Sequence, residues 1–226
     1  MPPMGLESWA KKWNPPESTT ETVGQKLRNF ISPPPPIRNQ IIQAVYRIQG
    51  QISKLDYSLA KLQSYDKMLF EKVVNSLVEG DKSKATMYAN ELAEVRKMAK
   101  VIITVRYALE RVRLRLETAM VFGDVNATLA PAIVALKQVA GHLKGMMPDV
   151  FTELMEVDES LQAAMMQMTA HVPIALDNAY VSEEASKILK DASIVAEQRL
   201  KEHFPDLPSF EKVAAQGERT SEGNGK

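Results

Sequence analysis

Apolar residues recur at alternating spacings of four and three residues through a long proline-free segment that follows the four prolines at 33–36. This spacing places them along one face of an α-helix, as in the seam of a coiled coil. The pattern predicts a single helix over residues 37–78, about 63 Å long at about 1.5 Å per residue. Its apolar face consists of Ile41, Val45, Ile48, Ile52, Leu55, Leu59, Leu62, Leu69 and Val73.

A sharp break separates this helix from a second one. Gly80 suits the left-handed conformation that ends many helices, and Asp81 is a favourable N-cap for the helix that follows. The second helix is predicted over residues 82–121. Its apolar face consists of Tyr88, Leu92, Val95, Ala99, Ile102, Leu109, Leu116 and Met120. Because the connection is so short, the two helices must be antiparallel, which gives a hairpin about 60 Å long over residues 37–121.

The rest of the chain reads as shorter helices. Three are predicted over approximately residues 126–144, 149–169 and 182–203, separated by glycine and proline. The predicted fold class is therefore all-α: a long antiparallel helical hairpin followed by three shorter helices. Residues 1–36 form an N-terminal leader with a proline spacer, residues 37–203 the helical domain with shorter helices over 124–203, and residues 204–226 a tail that ends in a polar, disordered stretch.

Composition argues against an enzyme. The chain has no cysteine and three scattered histidines, and it lacks a Walker A sequence, a Gly-x-Ser-x-Gly elbow and a glycine-rich dinucleotide turn. We therefore predict no catalytic residue, no metal site and no cofactor. No apolar run approaches the roughly 18 residues that a membrane-spanning helix needs. The first residues do not resemble a secretory signal, so the expected location is the cytoplasm.

The zero net charge conceals a division along the chain. Residues 1–121 carry 19 Lys and Arg against 12 Asp and Glu, whereas residues 122–226 carry 9 against 16. The uneven division could arise by chance. The preferred interpretation is a basic half that meets an anionic surface and an acidic half that folds back on it.

Basic residues also form stripes along the predicted hairpin. Those of the first helix repeat every seven residues beside the apolar face, and those of the second lie within about 60° of one another, opposite its apolar face. An elongated rod with such stripes can lie on anionic lipid. The alternatives are a solvated coiled-coil face, which usually interleaves acids, and nucleic acid, which is less favoured because no aromatic residues interleave with the stripes. The stripe residues are Arg47, Lys54, Lys61, Lys97, Lys100, Arg111 and Arg115.

The leader contains both tryptophans of the chain. Leu6, Trp9 and Trp13 are spaced so that a short helix would place them on one side. Tryptophan favours the headgroup boundary of a membrane, where its ring is buried and its N–H stays hydrated. We predict that these three residues insert into the membrane interface. Packing on the hairpin or on a neighbouring subunit is the alternative.

Three charged residues fall where the seam should be apolar. Asp66 continues the heptad of the first helix, and Arg106 and Arg113 lie within the apolar arc of the second. Asp66 is too far along the hairpin axis to neutralise Arg106. Burying any of these charged side chains without a partner would cost several kcal/mol. We therefore expect Arg106 and Arg113 to take acidic partners from the C-terminal half of the chain or from another subunit. The alternative is that the seam opens to solvent there.

A short proline-containing motif follows the last predicted helix. Phe204, Pro205, Leu207 and Pro208 belong to the sequence Phe-Pro-Asp-Leu-Pro. The prolines hold the backbone extended at low entropic cost, and Phe204 and Leu207 offer two apolar contacts for a groove between helices. The spacing is typical of a linear binding motif.

Together these features resemble the ESCRT-III family, and the cysteine-free composition and small size resemble its archaeal cell-division branch, the CdvB-like proteins. The resemblance covers roughly residues 37–210 and rests on the basic hairpin, the shorter acidic helices and the Phe-Pro-Asp-Leu-Pro element. It implies monomers that exchange between a closed form and an open, filament-forming form on membranes. The fifth helix would fold on the tip of the hairpin to hold the closed form.

The resemblance also implies partners. Phe204, Pro205, Leu207 and Pro208 would contact the MIT domain of the AAA ATPase that remodels the polymer. Other partners would be further copies of the chain, paralogous subunits and an anionic membrane surface at the division site, while nucleic acid is not expected. Fuller archaeal relatives carry a C-terminal winged-helix domain through which a membrane adaptor recruits them, and this sequence is expected to end too soon for one. The leader would then replace that recruitment by inserting directly into the membrane.

Two other functions are compatible with the sequence. The first is a phage-shock-type protein that polymerises to protect membranes, which would not need the Phe-Pro-Asp-Leu-Pro motif. The second is a monomeric coiled-coil scaffold or chaperone, whose hairpin would bind proteins and never lipid.

Overall fold

The computed structural model describes residues 37–122, 125–169 and 178–204, which form five α-helices in chain order. α1 spans Ile37–Val78 and α2 spans Lys82–Phe122. The three shorter helices are α3 over Val125–Gly141, α4 over Pro148–Thr169 and α5 over Asn178–His203. The predicted all-α fold and the long hairpin are confirmed.

The turn between α1 and α2 forms through local backbone chemistry. Gly80 has a φ of 75°, a conformation that glycine adopts without steric cost. The Gly80 N–H donates to the Leu77 carbonyl at 3.1 Å and the Asp81 N–H to the Ser76 carbonyl at 2.9 Å, which is the Schellman pattern of a helix end. Asp81 Oδ1 then accepts from the Lys84 N–H at 3.0 Å and caps α2. The sequence predicted both roles.

The three shorter helices cover only one half of the hairpin. α3 packs against α2, α4 and α5, while α4 also packs on α1 and α5 on α2. The main core lies there and joins α1 residues 41–55 to α2 residues 102–116 through α3, whose Leu129 and Leu136 are fully buried. Leu143, in the turn after α3, is also fully buried. Near Gly80 a smaller cluster of Leu69, Leu92 and Val95 holds the two helices together.

Two expectations need correction. α5 begins at Asn178, four residues before the predicted start at Ser182, and packs along α2 in the region of residues 99–115. It does not reach the tip at Gly80, because its buried residues Ala185, Ile188 and Ala192 face the larger core and Ala196 packs with Ala99 and Ile103 of α2. Among the described helices, none combines the length and the apolar character that crossing a membrane requires.

Candidate functional site

The basic stripe of α2 faces a row of acidic residues on α5. Lys100 Nζ lies 2.9 Å from Glu197 Oε1, and Arg111 and Arg115 form ion pairs with Asp191 and Glu184. The order of the three pairs shows that α5 runs antiparallel to α2. Three of the four stripe residues on α2 are therefore paired with acids from the C-terminal half of the chain.

These contacts affect the titration of the acidic row. The hydrogen bond from Arg115 lowers the pKa of Glu184, and the hydrogen bond from Lys100 lowers the pKa of Glu197. A carboxyl whose pKa is lower in the folded chain stabilises the fold above its ordinary pKa, and this stabilisation is lost as the pH falls through the folded value. Acidification below about pH 4 should thus weaken the α2–α5 contact.

A similar arrangement connects α1 to α4. Arg47 Nη2 lies 3.1 Å from Glu153 Oε2 and also binds Glu156. The hydrogen bond to Glu156 is the largest contribution to a raised pKa of Arg47, and the hydrogen bond to Glu153 adds to it. Four of the seven predicted stripe residues are thus neutralised by acids that follow residue 121.

The three remaining stripe residues carry no long-range ion pair in the described part of the chain. Lys97 lies 3.6 Å from Glu94 on its own helix, and Lys54 and Lys61 are exposed on α1. The Lys61 ammonium lies 4.5 Å from the centroid of the Tyr57 ring, which is a cation–π contact. The expectation that no aromatic residue interleaves with the stripes is therefore wrong. The sequence signal for this contact was the spacing of Tyr57, which follows Lys54 by three residues and precedes Lys61 by four, so that all three lie on one side of the helix.

The partners of the charged seam residues differ from those expected. Arg106 Nε donates to Asp56 Oδ1 at 2.6 Å and its Nη1 to Glu110 at 3.0 Å. Arg113 pairs with Glu117 on the same helix, at 2.6 Å, and its buried Nε has no hydrogen-bond partner in the described chain. Neither arginine pairs with the C-terminal half within the described residues, so that part of the prediction is wrong: Asp56 lies across the hairpin from Arg106, and Glu117 lies one turn after Arg113. Burial lowers the pKa of Arg106, but its contacts with Asp56 and Glu110 raise it overall.

Asp66 also has its partner within the hairpin. It is 3% exposed, and both of its carboxylate oxygens accept hydrogen bonds from Arg96, at 2.6 and 3.3 Å. Arg96 was not singled out from the sequence, although an acid in an apolar seam requires a nearby cation. The neighbouring cluster of Leu69, Leu92 and Val95 restricts water around the pair.

The first residue of the proline-containing motif is already in contact with the fold. Phe204 is 4% exposed and packs against Ala99 and Ile103 of α2 and Ala196 of α5. Its N–H donates to the Leu200 carbonyl at 2.9 Å, which continues the last turn of α5. The other motif residues, Pro205, Leu207 and Pro208, and the leader residues Leu6, Trp9 and Trp13 lie outside the described residues.

Comparison with known proteins identifies relatives with one shared role. Cell division protein B1 of Sulfolobus acidocaldarius is 44% identical over 174 residues, which cover 77% of this chain and 81% of that protein. Cell division protein B of the same organism is 32% identical over 168 residues, or 74% of this chain and 64% of that protein, less than two thirds of its length. Cell division protein B3 is 27% identical over 153 residues, 67% of this chain and 87% of that protein. No family model and no solved structure matches the chain.

The hairpin, the shorter acidic helices and these relatives define an archaeal cell-division protein of the ESCRT-III type. The chain belongs to the family of Cell division protein B, the CdvB family. The resemblance inferred from the sequence is therefore confirmed.

Proposed function

We propose that the protein is non-enzymatic and forms filaments on anionic membrane that constrict it during archaeal cell division. The structure corresponds in this proposal to the closed subunit. The observation that carries it is the pairing of Lys100, Arg111 and Arg115 with the acidic row of α5. The α2 stripe can bind lipid phosphates or the carboxylates of α5, but not both at once.

The energetics favour a reversible exchange. Solvent-exposed ion pairs contribute about 0–1 kcal/mol each, and the side chains of Lys100 and Glu197 are 44% and 59% exposed. Most of the affinity of α5 for the fold therefore comes from its buried apolar residues, such as Ile188, Ala192 and Ala196. An anionic membrane contributes about 1 kcal/mol for each basic residue near its surface, so it can displace α5 by competing for the same cations.

The direct test is electron microscopy of the purified full chain with vesicles that contain anionic lipid. We expect filaments on these vesicles and none on vesicles of purely zwitterionic lipid. A chain that stays monomeric with both kinds of vesicle would contradict the proposal and favour the protein-binding scaffold.

The same mixture tests the leader. Because Trp9 and Trp13 are the two tryptophans of the chain, a blue shift of tryptophan emission on anionic vesicles reports the leader alone. We expect this shift, and we expect Trp9→Ala with Trp13→Ala to weaken co-sedimentation about tenfold, since each indole loses buried apolar area. Unchanged emission and unchanged binding would show that the leader does not enter the membrane.

We further propose that the polymer is taken apart by an AAA ATPase whose MIT domain binds Phe204, Pro205, Leu207 and Pro208. Further copies of the chain and paralogous subunits are the proposed assembly partners, a proposal supported by the several related Cell division proteins B of one organism. Because Phe204 is buried against α2 and α5, the MIT domain would bind the complete motif only after α5 has left the hairpin.

Leu207→Asp is expected to weaken binding of the full chain to the isolated MIT domain about thirtyfold, because a charge replaces an apolar contact of about 2 kcal/mol. Isothermal titration calorimetry measures this affinity. Ser209→Asp is the matched control, since it introduces the same charge two residues away and should leave the affinity within about twofold. An equal affinity of the Leu207→Asp chain and the wild type would exclude the motif as the ATPase contact and would favour the phage-shock-type alternative.

A further inference from the structure

The inner face of α4 carries an aspartate among its apolar residues. Asp158 directly follows Val157 and lies one turn from Leu154 and Leu161, and these three apolar neighbours are fully buried in the main core. Asp158 itself is 1% exposed. In this core α4 packs against α1 and α3. A carboxyl group therefore lies where the packing of three helices favours an apolar side chain.

The hydrogen bonds of this carboxyl group are incomplete. Oδ2 of Asp158 accepts from Gln162 Nε2 at 2.6 Å, whereas Oδ1 accepts from no group in the described chain. Asp66, which is similarly buried, receives hydrogen bonds from Arg96 at both oxygens. Asp158 has no such cation among its described contacts, and a buried charge without a partner is strongly unfavourable.

The charged residues of the neighbouring helices do not neutralise Asp158. Lys137 is the charged residue of α3, and it is exposed and forms no ion pair with Asp158. On α1, Arg47 is held by two glutamates of α4. Arg38 and Lys54 line clefts at the two ends of α4, each about 14 Å from Asp158 along the helix axis.

Burial raises the pKa of Asp158 above its ordinary value, and the like charge of Glu159 adds to the rise. The hydrogen bond from Gln162 and the positive charge of Lys137 act in the opposite direction without cancelling it. The Gln162 amide can serve both protonation states, since its Nε2 donates to a carboxylate and its Oε1 accepts from a carboxyl O–H. Protonation therefore removes the charge and keeps the hydrogen bond.

We propose that a proton on Asp158 holds α4 in its packed position, so that α4 is released from α1 and α3 when this proton is lost. The neutral carboxyl group is tolerated in the core, whereas the ionised group gains hydration only if α4 moves away. A carboxyl whose pKa is higher in the packed position stabilises that position below its ordinary pKa, and this stabilisation is lost as the pH rises through the higher value. The inference does not depend on the proposed membrane function.

α4 and α5 then respond to pH in opposite directions. The ion pairs of Glu184 and Glu197 with α2 weaken below about pH 4, whereas the packing of α4 weakens as the pH rises above that value. Release of α4 also frees Arg47 from Glu153 and Glu156. The pH therefore selects which acidic helix leaves the basic hairpin.

The distance between α1 and α4 in the full chain tests the inference. Because the chain has no cysteine, Gln43→Cys with Ala163→Cys introduces two exposed sites for nitroxide spin labels. The clefts that α1 and α4 share show that the helices are antiparallel, so the two positions lie near each other. By double electron–electron resonance we expect one short distance at about pH 5 and an added longer distance at about pH 8. The ratio of released to packed α4 should rise by up to about tenfold for each pH unit.

Two variants separate the charge of Asp158 from other effects of pH. Asp158→Asn removes the charge, so α4 should stay packed at both pH values, with the ratio unchanged within about twofold. Glu159→Gln is the matched control, since it removes the same charge from the exposed neighbouring position and should keep the wild-type response. Urea unfolding gives a second measurement: Asp158→Asn should be more stable than the wild type at about pH 8, and by a smaller margin at about pH 5.

Three results would overturn the inference. The first is a distance that is the same at both pH values, and the second is an Asp158→Asn chain that keeps the wild-type response. The third is a response of opposite sign. If Asp158 is ionised and bound to Lys137 in solution, α4 is released in acid instead, and Lys137→Met releases it at neutral pH.

Discussion

Glu184→Lys with Asp191→Lys is expected to release α5 from α2 and to raise the affinity of the full chain for anionic vesicles at least tenfold. The substitutions place lysines opposite Arg115 and Arg111, where the structure has ion pairs. Each favourable contact of up to about 1 kcal/mol becomes a repulsion of similar size, so the closed form loses roughly 2–4 kcal/mol. Vesicle co-sedimentation measures the affinity, and small-angle scattering should show a longer particle.

A matched control separates release of α5 from the added positive charge. Glu183→Lys with Glu202→Lys changes the net charge by the same amount, but Glu183 is exposed and Glu202 pairs only with Arg199 on its own helix among the described contacts. This control should keep the scattering profile of the wild type. Adding Arg115→Glu and Arg111→Glu to the first variant restores complementary charges and should return the compact form. A compact particle in the Glu184→Lys, Asp191→Lys chain would show that the ion pairs do not hold α5 in place.

Asp66→Asn is expected to lower the free energy of unfolding by about 3–5 kcal/mol, because it leaves the partly buried Arg96 without its carboxylate. The Asp66 and Arg96 side chains are 5% and 18% exposed, so water offers little compensation. Urea denaturation followed by circular dichroism measures the change. Asp56→Asn is the internal control: Asp56 is 47% exposed and pairs with Arg106, so its loss should cost less than about 1 kcal/mol.

A double substitution distinguishes ion-pair chemistry from simple damage to the seam. Asp66→Leu with Arg96→Met replaces the pair with apolar side chains beside Leu69, Leu92 and Val95. Replacing a buried ion pair in this way is often neutral or stabilising. We expect the double variant to be at least as stable as the wild type, whereas each single substitution is destabilising. A double variant as unstable as the single ones would mean that the site needs the charges themselves.

The helices were predictable because their signals are local. The end of α1 and the start of α2 depend on Gly80 and Asp81, whose roles follow from backbone conformation and capping within a few residues. The seam follows from the spacing of apolar residues, and Ile41, Ile48, Ile52 and Leu55 are buried as the spacing indicates. Asp177 and Asn178 are favourable N-cap residues. The start of α5 at Asn178 was nevertheless missed, because Ser182 followed by Glu183 and Glu184 offers a second possible helix start four residues later.

The partners of charged residues were less predictable, as Arg106 shows. The short turn gives the register of the hairpin, and that register places residue 54 opposite Arg106, only two positions from Asp56. Asp66 lies in the seam, but it is too far along the hairpin axis to reach Arg106 and pairs with Arg96. Whether Asp56 or a more distant acid is the partner depends on side-chain direction and on the packing of two helices, which periodicity does not specify.

By itself, then, the sequence determined the hairpin, the five helices of the part of the chain that the structure describes, the basic stripes and the uneven charge, since each depends on residues close together in the chain. Only the tertiary structure decided that α5 covers Lys100, Arg111 and Arg115, that Phe204 is buried, and that Tyr46 and Tyr57 of α1 stay exposed. The physical reason is that exposure and ion pairing depend on which helix packs over a given surface, and the ion-paired residues of α2 and α5 are 69, 80 and 97 residues apart in the chain.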